Sequence, residues 1–249
     1  MQEYWELYMK QLDGNIASIL VNAGISAELP SEDKYFMGFI KLIMKSPNER
    51  GLIGEEEEVQ LGFIEDKIEM ESLRYRIGNY VGKIVSNGEI NFIYYLKHDF
   101  EWADVVSTAM KEFPDYEYEY GSKLDADWEI YHKLLFPTAI EWQIIQNHKV
   151  CDHLKSQGDS LHLPRAIEHK AYFETIEQRE AFIVKIESDG FKVKELIETN
   201  THNSMIGIGF YRQDKPFYYD IDALSLHLID LSHQCGGQYD GWETSVVKI

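Results

Sequence analysis

The sequence predicts an α+β protein made of two tandem ferredoxin-like (split βαβ) sandwiches, each an antiparallel sheet with helices on one face, the first extended by an extra N-terminal hairpin. Three observations predict it. From Tyr35 onward the apolar periodicities switch between two and 3.6 residues in the order βαββαβ, and from Pro164 to the C-terminus the same order recurs. Asn87-Gly88 joins two alternating apolar runs and can hold the two positive φ angles of a type I′ hairpin turn. Thr175 and Gln178 stand at the spacing of a capping box, directly after one apolar run and before another.

Each element has its own local reason. Trp5, Leu7 and Met9 alternate on one face before the Asp13-Gly14 turn and the run Ile16 to Val21, which reads as a hairpin. Tyr35 to Leu42 reads as a buried strand. After the loop from Pro47 to Gly54, the acidic run Glu55 to Glu58 suits the first turn of a helix and faces water, and Val59, Phe63, Ile64 and Ile68 follow at helical spacing. The hairpin arms Arg76 to Val85 and Glu89 to Leu96 come next, and then Asp99 caps a helix bearing Trp102, Val105, Val106, Ala109 and Met110. Tyr116, Tyr118 and Tyr120 alternate with glutamates as a short strand. Asp127 to Gln157 reads as helix interrupted at Pro137, giving expected domains of 1–136 and 137–249. In the second domain a strand reaches Phe173, the capped helix carries Phe182 and Ile186 up to the Gly190 stop, and strands Phe191 to Ile197 and Met205 to Tyr211 flank a polar loop. A helix from about Asp220 aligns Ile221, Leu224, Leu228 and Leu231, and Trp242 to Ile249 reads as the closing strand.

Composition narrows the function. The 249 residues hold 24 Lys and Arg against 43 Asp and Glu, a net charge of −19, which opposes binding nucleic acid through its phosphates. Both halves are acidic: 13 basic against 26 acidic residues before Leu135, and 11 against 17 from there on. Two cysteines, Cys151 and Cys235, make no disulfide scaffold, and the start Met1-Gln2-Glu3-Tyr4 has no basic, apolar leader pattern, so a cytoplasmic location is expected. Apolar runs fall far short of the roughly 20 residues of a membrane span.

The familiar catalytic patterns are absent: the sequence has no phosphate-binding glycine loop, no H-E-x-x-H and no G-x-S-x-G. Asp125 with Asp127, and Asp220 with Asp222, are closely spaced carboxylates that could hold a cation, but each pair precedes a helix, where Asp serves as a cap. His148, Cys151 and His153 do not have the spacing of a structural zinc site, and Cys151 reads as a small buried residue. No metal or cofactor is expected. The strand Met205 to Tyr211 lacks the aromatic and basic string of an RNA-recognition motif and offers instead a Gly207/Gly209 face that another surface can approach closely.

The most specific string is Gly236-Gly237-Gln238-Tyr239-Asp240-Gly241-Trp242, supported in order by Gly158-Asp159, Pro164-Arg165, His169, Phe173 and Gly190-Phe191. Over about the last hundred residues the chain thereby resembles the RraB family of protein regulators of ribonuclease E. The N-terminal half resembles an uncharacterised bacterial domain family, through Trp5-x-x-Tyr8, the Gly51-Leu52 loop and the Gly78 to Tyr95 hairpin. The resemblance implies a ferredoxin-like fold and a non-catalytic regulator or adaptor that binds a protein partner, a ribonuclease E-type endonuclease or its basic scaffold segment, through an acidic surface. Tyr239, Asp240 and Trp242 are its candidate partner-binding residues, with helix ending, turn formation and core packing as their competing structural roles. The alternative is an enzyme or small-ligand-binding protein with a site between the domains, for which Asp125, Asp127, His148 and His169 are the candidates. A third reading is self-association through the strand edge Tyr116 to Tyr120.

Overall fold

The structure, a computed structural model, describes residues 4–28, 30, 33–198 and 205–248. It divides into two compact units, Met1–Thr138 and Ala139–Ile249.

The first unit contains β1 (Trp5–Leu12), β2 (Asn15–Asn22), β3 (Phe36–Ile43), α1 (Glu58–Tyr75), β4 (Gly78–Ser86), β5 (Glu89–Leu96), α2 (Trp102–Met110) and β6 (Tyr118–Leu124). Its antiparallel sheet runs β1-β2-β4-β5-β3-β6, so the split βαβ order β4-β5-β3-β6 is extended on one side by the N-terminal hairpin. The hairpin turns behave as their residues dictate, with positive φ at Asp13-Gly14 and at Asn87-Gly88. On one face, Ile40, Leu42, Phe92 and Tyr94 form a core with Ile64 and Ile68 of α1 and Val105 and Val106 of α2. All five apolar residues expected to line α2 are buried.

The opposite face of this sheet is also covered. The segment 125–136, which ends in a π-helical turn Tyr131–Leu135, stacks Trp128 on Tyr95 with ring centroids 3.6 Å apart. It is pinned by Tyr131 Oη donating to the Asn22 carbonyl at 2.8 Å and by Tyr8 Oη donating to the Leu135 carbonyl at 2.9 Å. This explains a difference in the first strand. Register places Leu7 and Met9 on the sheet's helix side, but the hairpin extends past the two helices, so both stay exposed while Tyr8 on the other side is buried.

Three further local expectations need correction. In the acidic run, Glu57 is buried and its carboxylate accepts the amides of Lys45 (2.9 and 3.0 Å) and Ser46 (2.7 Å), closing the loop after β3. Asp99 does not cap α2 with its side chain, which accepts from Ser122 Oγ at 3.2 Å; only its carbonyl meets the first turn, through Trp102 N. Strand β6 begins at Tyr118, because Tyr116 turns into the core beside Glu57.

The second unit contains α3 (Ala139–Ser156), β7 (Arg165–Phe173), α4 (Ile176–Ser188), β8 (Lys192–Ile197), β9 (Ile206–Asp214), α5 (Tyr218–Gln234) and β10 (Gly237–Glu243). Its sheet order β10-β7-β9-β8 is the split βαβ arrangement, all antiparallel. Thr175 and Gln178 form the reciprocal capping box. Ile167, Phe173, Phe182, Phe210, Ile221 and Leu228 centre the core. What approaches the glycine face of β9 is this unit's own side chains: a Cβ at Gly207 would lie 2.7 Å from the Tyr172 ring. The closing strand runs earlier than Trp242–Ile249, spanning the glycine string itself; Ile249 and most of the expected polar loop before β9 lie outside the described residues.

Candidate functional site at the C-terminal strand

Strand β10 starts as soon as α5 ends because Gly236 closes the helix at φ +75° and Gly237 then slides over Phe173, where a Cβ would come within 2.2 Å of the ring. Pairing with β7 is regular to Tyr239, breaks at Asp240 in a bulge and resumes at Gly241. Gly241 has φ +117° and open space around it, so backbone conformation rather than packing calls for glycine there. Asp240-Gly241 is therefore a bulge inside a strand, not the turn expected from the dipeptide.

The bulge separates two chemistries. Tyr239 and Trp242 pair with Ala171 and His169, on the helix-covered side of the sheet, and are partly buried there. Tyr239 Oη is 2.8 Å from His169 Nδ1, and Trp242 Nε1 donates to Asn147 Oδ1 at 2.8 Å. Asp240 is exposed, and beside it Glu243 faces Lys170 at 3.6 Å while Glu168 pairs with Lys194. Glu168, Lys170, Asp240, Gly241, Trp242 and Glu243 line a dent of about 150 Å³. Two of the three carboxylates, Glu243 and Glu168, are held by Lys170 and Lys194, which leaves Asp240 to face a single cationic side chain, and the volume lies below the roughly 300–1,000 Å³ of pockets that enclose small ligands.

Behind the strand lies a buried polar hub. Asn147 of α3 uses every hydrogen-bonding position of its amide: Nδ2 donates to Asp222 Oδ1 (2.9 Å) and Ser225 Oγ (2.7 Å), and Oδ1 accepts from Gln143 Nε2 (2.9 Å) and Trp242 Nε1 (2.8 Å). His148 Nε2 lies 2.8 Å from Asp222 Oδ2, and this bond raises the imidazole's pKa. Sequence reasoning passed over Asn147, whose only sign was a polar residue between apolar helix positions. Asp222, read as a cap, belongs to this network.

The other candidates fall in separate places. Asp125 and Asp127 belong to the first unit, His148 and His169 to the second. Asp125 does cap: it accepts from the amides of Glu129 (2.9 Å) and Ile130 (3.0 Å) and from Tyr95 Oη (2.6 Å). Burial works against its charge, yet these donors hold its carboxyl below the usual range. Asp127 is exposed. His169 is buried among Phe191, Phe210 and Tyr239; desolvation, with help from Arg212, depresses its pKa to about 3. Cys151 and Cys235 are both buried, and burial pushes the Cys151 thiol up to about 12, which makes it inert. Among the described residues no group of three or more His, Cys, Asp and Glu side chains is placed to hold a metal ion, and no helix is long and apolar enough to cross a membrane.

The residues quoted upstream of the strand also find their purpose. Asp159 and Arg165 form a buried ion pair, and Asp159 additionally accepts from the amides of Leu161 (2.8 Å) and Val247 (2.7 Å) while Arg165 donates to the Ser245 carbonyl at 2.9 Å. The pair thus ties the segment after β10 to the start of β7.

These features define a two-unit α+β protein of tandem split βαβ sandwiches whose second unit presents an acidic bulge backed by a polar hub. More than half of the chain, residues 3–136, matches a family of unknown function (DUF695), and the chain belongs to that family. Residues 144–244 match the RraB family, regulator of ribonuclease activity B. No curated protein matches the chain. Among solved structures, an unknown protein from Galdieria sulphuraria is similar over 86% of this chain and 99% of its own, at 9% identity and a TM-score of 0.22.

Proposed function

We propose that the chain is a non-catalytic regulator or adaptor that acts on a ribonuclease in the cytoplasm, binding the enzyme or its basic scaffold segment through the acidic surface around β10. The observation that carries this reading is the RraB match over residues 144–244, which takes in the whole βαββαβ sandwich from β7 to β10. The geometry supports it chemically. Asp240 stands at a bulge with Glu243 and Glu168 close by, in a dent sized for one arginine or lysine side chain. Basic segments that RNA-processing enzymes use to hold RNA carry such side chains, and an acidic surface steers them to encounter. Tyr239 and Trp242 support Asp240 from behind through His169 and Asn147.

The test is a cleavage assay with a purified ribonuclease E-type endonuclease and an RNA substrate, with and without the full-length chain, at low and high salt. A stoichiometric, salt-sensitive change in cleavage rate is expected, together with a complex on size-exclusion chromatography. Asp240→Lys should weaken both. Unchanged cleavage and no complex at low salt would sink the reading.

A further inference from the structure

We propose that the exposed face of α1 in the first unit is a docking seam for a basic amphipathic helix of a partner protein. Helix α1 carries two apolar stripes. Leu61, Ile64 and Ile68 are buried in the core of the unit. On the other side, Val59 (70% exposed), Phe63 (59%), Met70 (50%) and Leu73 (62%) meet solvent. With Asp66, these residues follow one another at spacings of four, three, four and three, the alternation that lays one helix along another. Single exposed apolar residues call for no account, but four in seam register on one helix form a continuous strip. The strip opens beside Phe63 and Met70 into a cleft of about 340 Å³ against Phe113, after the end of α2.

Charge selects the occupant. Asp66 is exposed in the middle of the strip, and Glu55, Glu56 and Glu58 are exposed at its N-terminal end. None of these four carboxylates has a cationic partner among the described residues. The cations on the flank are already held, Lys67 by Glu112 at 2.7 Å and Glu71 at 3.3 Å and Arg74 by Glu71 at 3.0 Å, and the exposed Arg76 stands past the C-terminal end of the strip, away from these carboxylates. The complement is a helix with apolar residues along the seam, Lys or Arg on its flanks and one basic residue opposite Asp66. A second copy does not fit. Helix α1 laid on another α1, in parallel register or antiparallel about its midpoint, brings Asp66 onto Asp66, and two carboxylates sharing a desolvated site cannot both stay charged. A polar residue at one seam position also fixes register, at some cost in affinity.

This inference goes beyond the ribonuclease reading. The surface lies in the other unit and its test contains no ribonuclease, so either can fail alone. The probe is a synthetic peptide of three heptads with Leu at the seam positions, one Arg at the central seam position and Lys on the flanks, titrated by fluorescence anisotropy against the full-length chain. A control peptide carries Glu in place of Arg and Lys. The basic peptide is expected to bind and the acidic one not. Phe63→Ser and, separately, Val59→Ser should each weaken binding about tenfold or more. Asp66→Arg should reverse the preference toward a peptide whose central Arg alone is changed to Glu. All three positions are exposed, and circular dichroism with unfolding midpoints confirms the fold of each variant. Absence of binding to the basic peptide overturns the proposal. So does binding undiminished in both serine variants, which would reduce the attraction to charge alone.

Discussion

His169 has its pKa pushed down although the protein is acidic, because β7 places it in the core of the second unit. Its pKa lies near 3 when folded against about 6.5 in an unfolded chain, so between those values the unfolded chain binds a proton that the folded one refuses. Stability must therefore fall as pH drops from about 6.5 toward 3, with a slope of up to about 1.4 kcal/mol per pH unit from this group. Replacing it with a side chain that cannot titrate, His169→Gln, should flatten that slope in urea-unfolding series at stepped pH; an unchanged slope would refute the assignment. His148 acts oppositely. Its pKa is raised by the bond to Asp222, so its contribution is present below about 6.5 and is lost as pH rises through the folded value. Asp159, held well below the ordinary carboxylate range by Arg165, stabilises above about pH 4 and loses that contribution only in stronger acid. Asp159→Asn leaves Arg165 buried without its counter-charge and should cost about 3 kcal/mol or more. Asn147→Ala strands Trp242 Nε1 and should cost about 2 kcal/mol, read as a lower urea midpoint and altered tryptophan fluorescence.

At the scale of elements, β10 separates two reasons for glycine that look alike in sequence. Gly237→Ala drives a methyl into the Phe173 ring and should destabilise by about 2 kcal/mol, whereas Gly241→Ala meets only empty space and pays for its φ alone, about 1 kcal/mol. Thermal unfolding that ranks Gly241→Ala as the more damaging change would contradict this account of the bulge. Helix α1 shows a similar division. Its apolar residues at helical spacing divide between a core stripe and an exposed one, and its acidic leader contains one glutamate, Glu57, that works as an internal anchor. Glu57→Ala leaves the amides of Lys45 and Ser46 without their acceptor and should cost about 2 kcal/mol, while the same change at the exposed Glu56 should stay within about 0.5 kcal/mol. Comparing the two midpoints tests whether burial, not charge, distinguishes them.

At the scale of the molecule, the second unit keeps its entire hydrophobic core, Cys151 to Cys235 with Tyr239 and Trp242 packed against it, within Ala139–Ile249. A fragment of residues 139–249 is therefore expected to unfold cooperatively on its own; a fragment without a sigmoidal transition would show that its core is insufficient. Charge is distributed over both halves, −13 before Leu135 and −6 after it, so both proposed docking surfaces lie on acidic parts of the chain.

The twofold recurrence of βαββαβ, the Asn87-Gly88 turn, the Thr175–Gln178 capping box and the buried stripes of α2 and α5 are legible in the residues alone, because each depends on periodicity or on a backbone angle that a few neighbouring residues dictate. Which apolar face of β1 and α1 meets solvent emerges on packing, since that depends on how far the helix layer reaches across the sheet. Asp240-Gly241 likewise becomes a bulge because a partner strand, β7, continues past it. Asn147, Glu57 and the Asp159–Arg165 pair were illegible for the same reason: their partners lie up to 95 residues away, and a polar side chain acquires its meaning from the groups that burial brings to it.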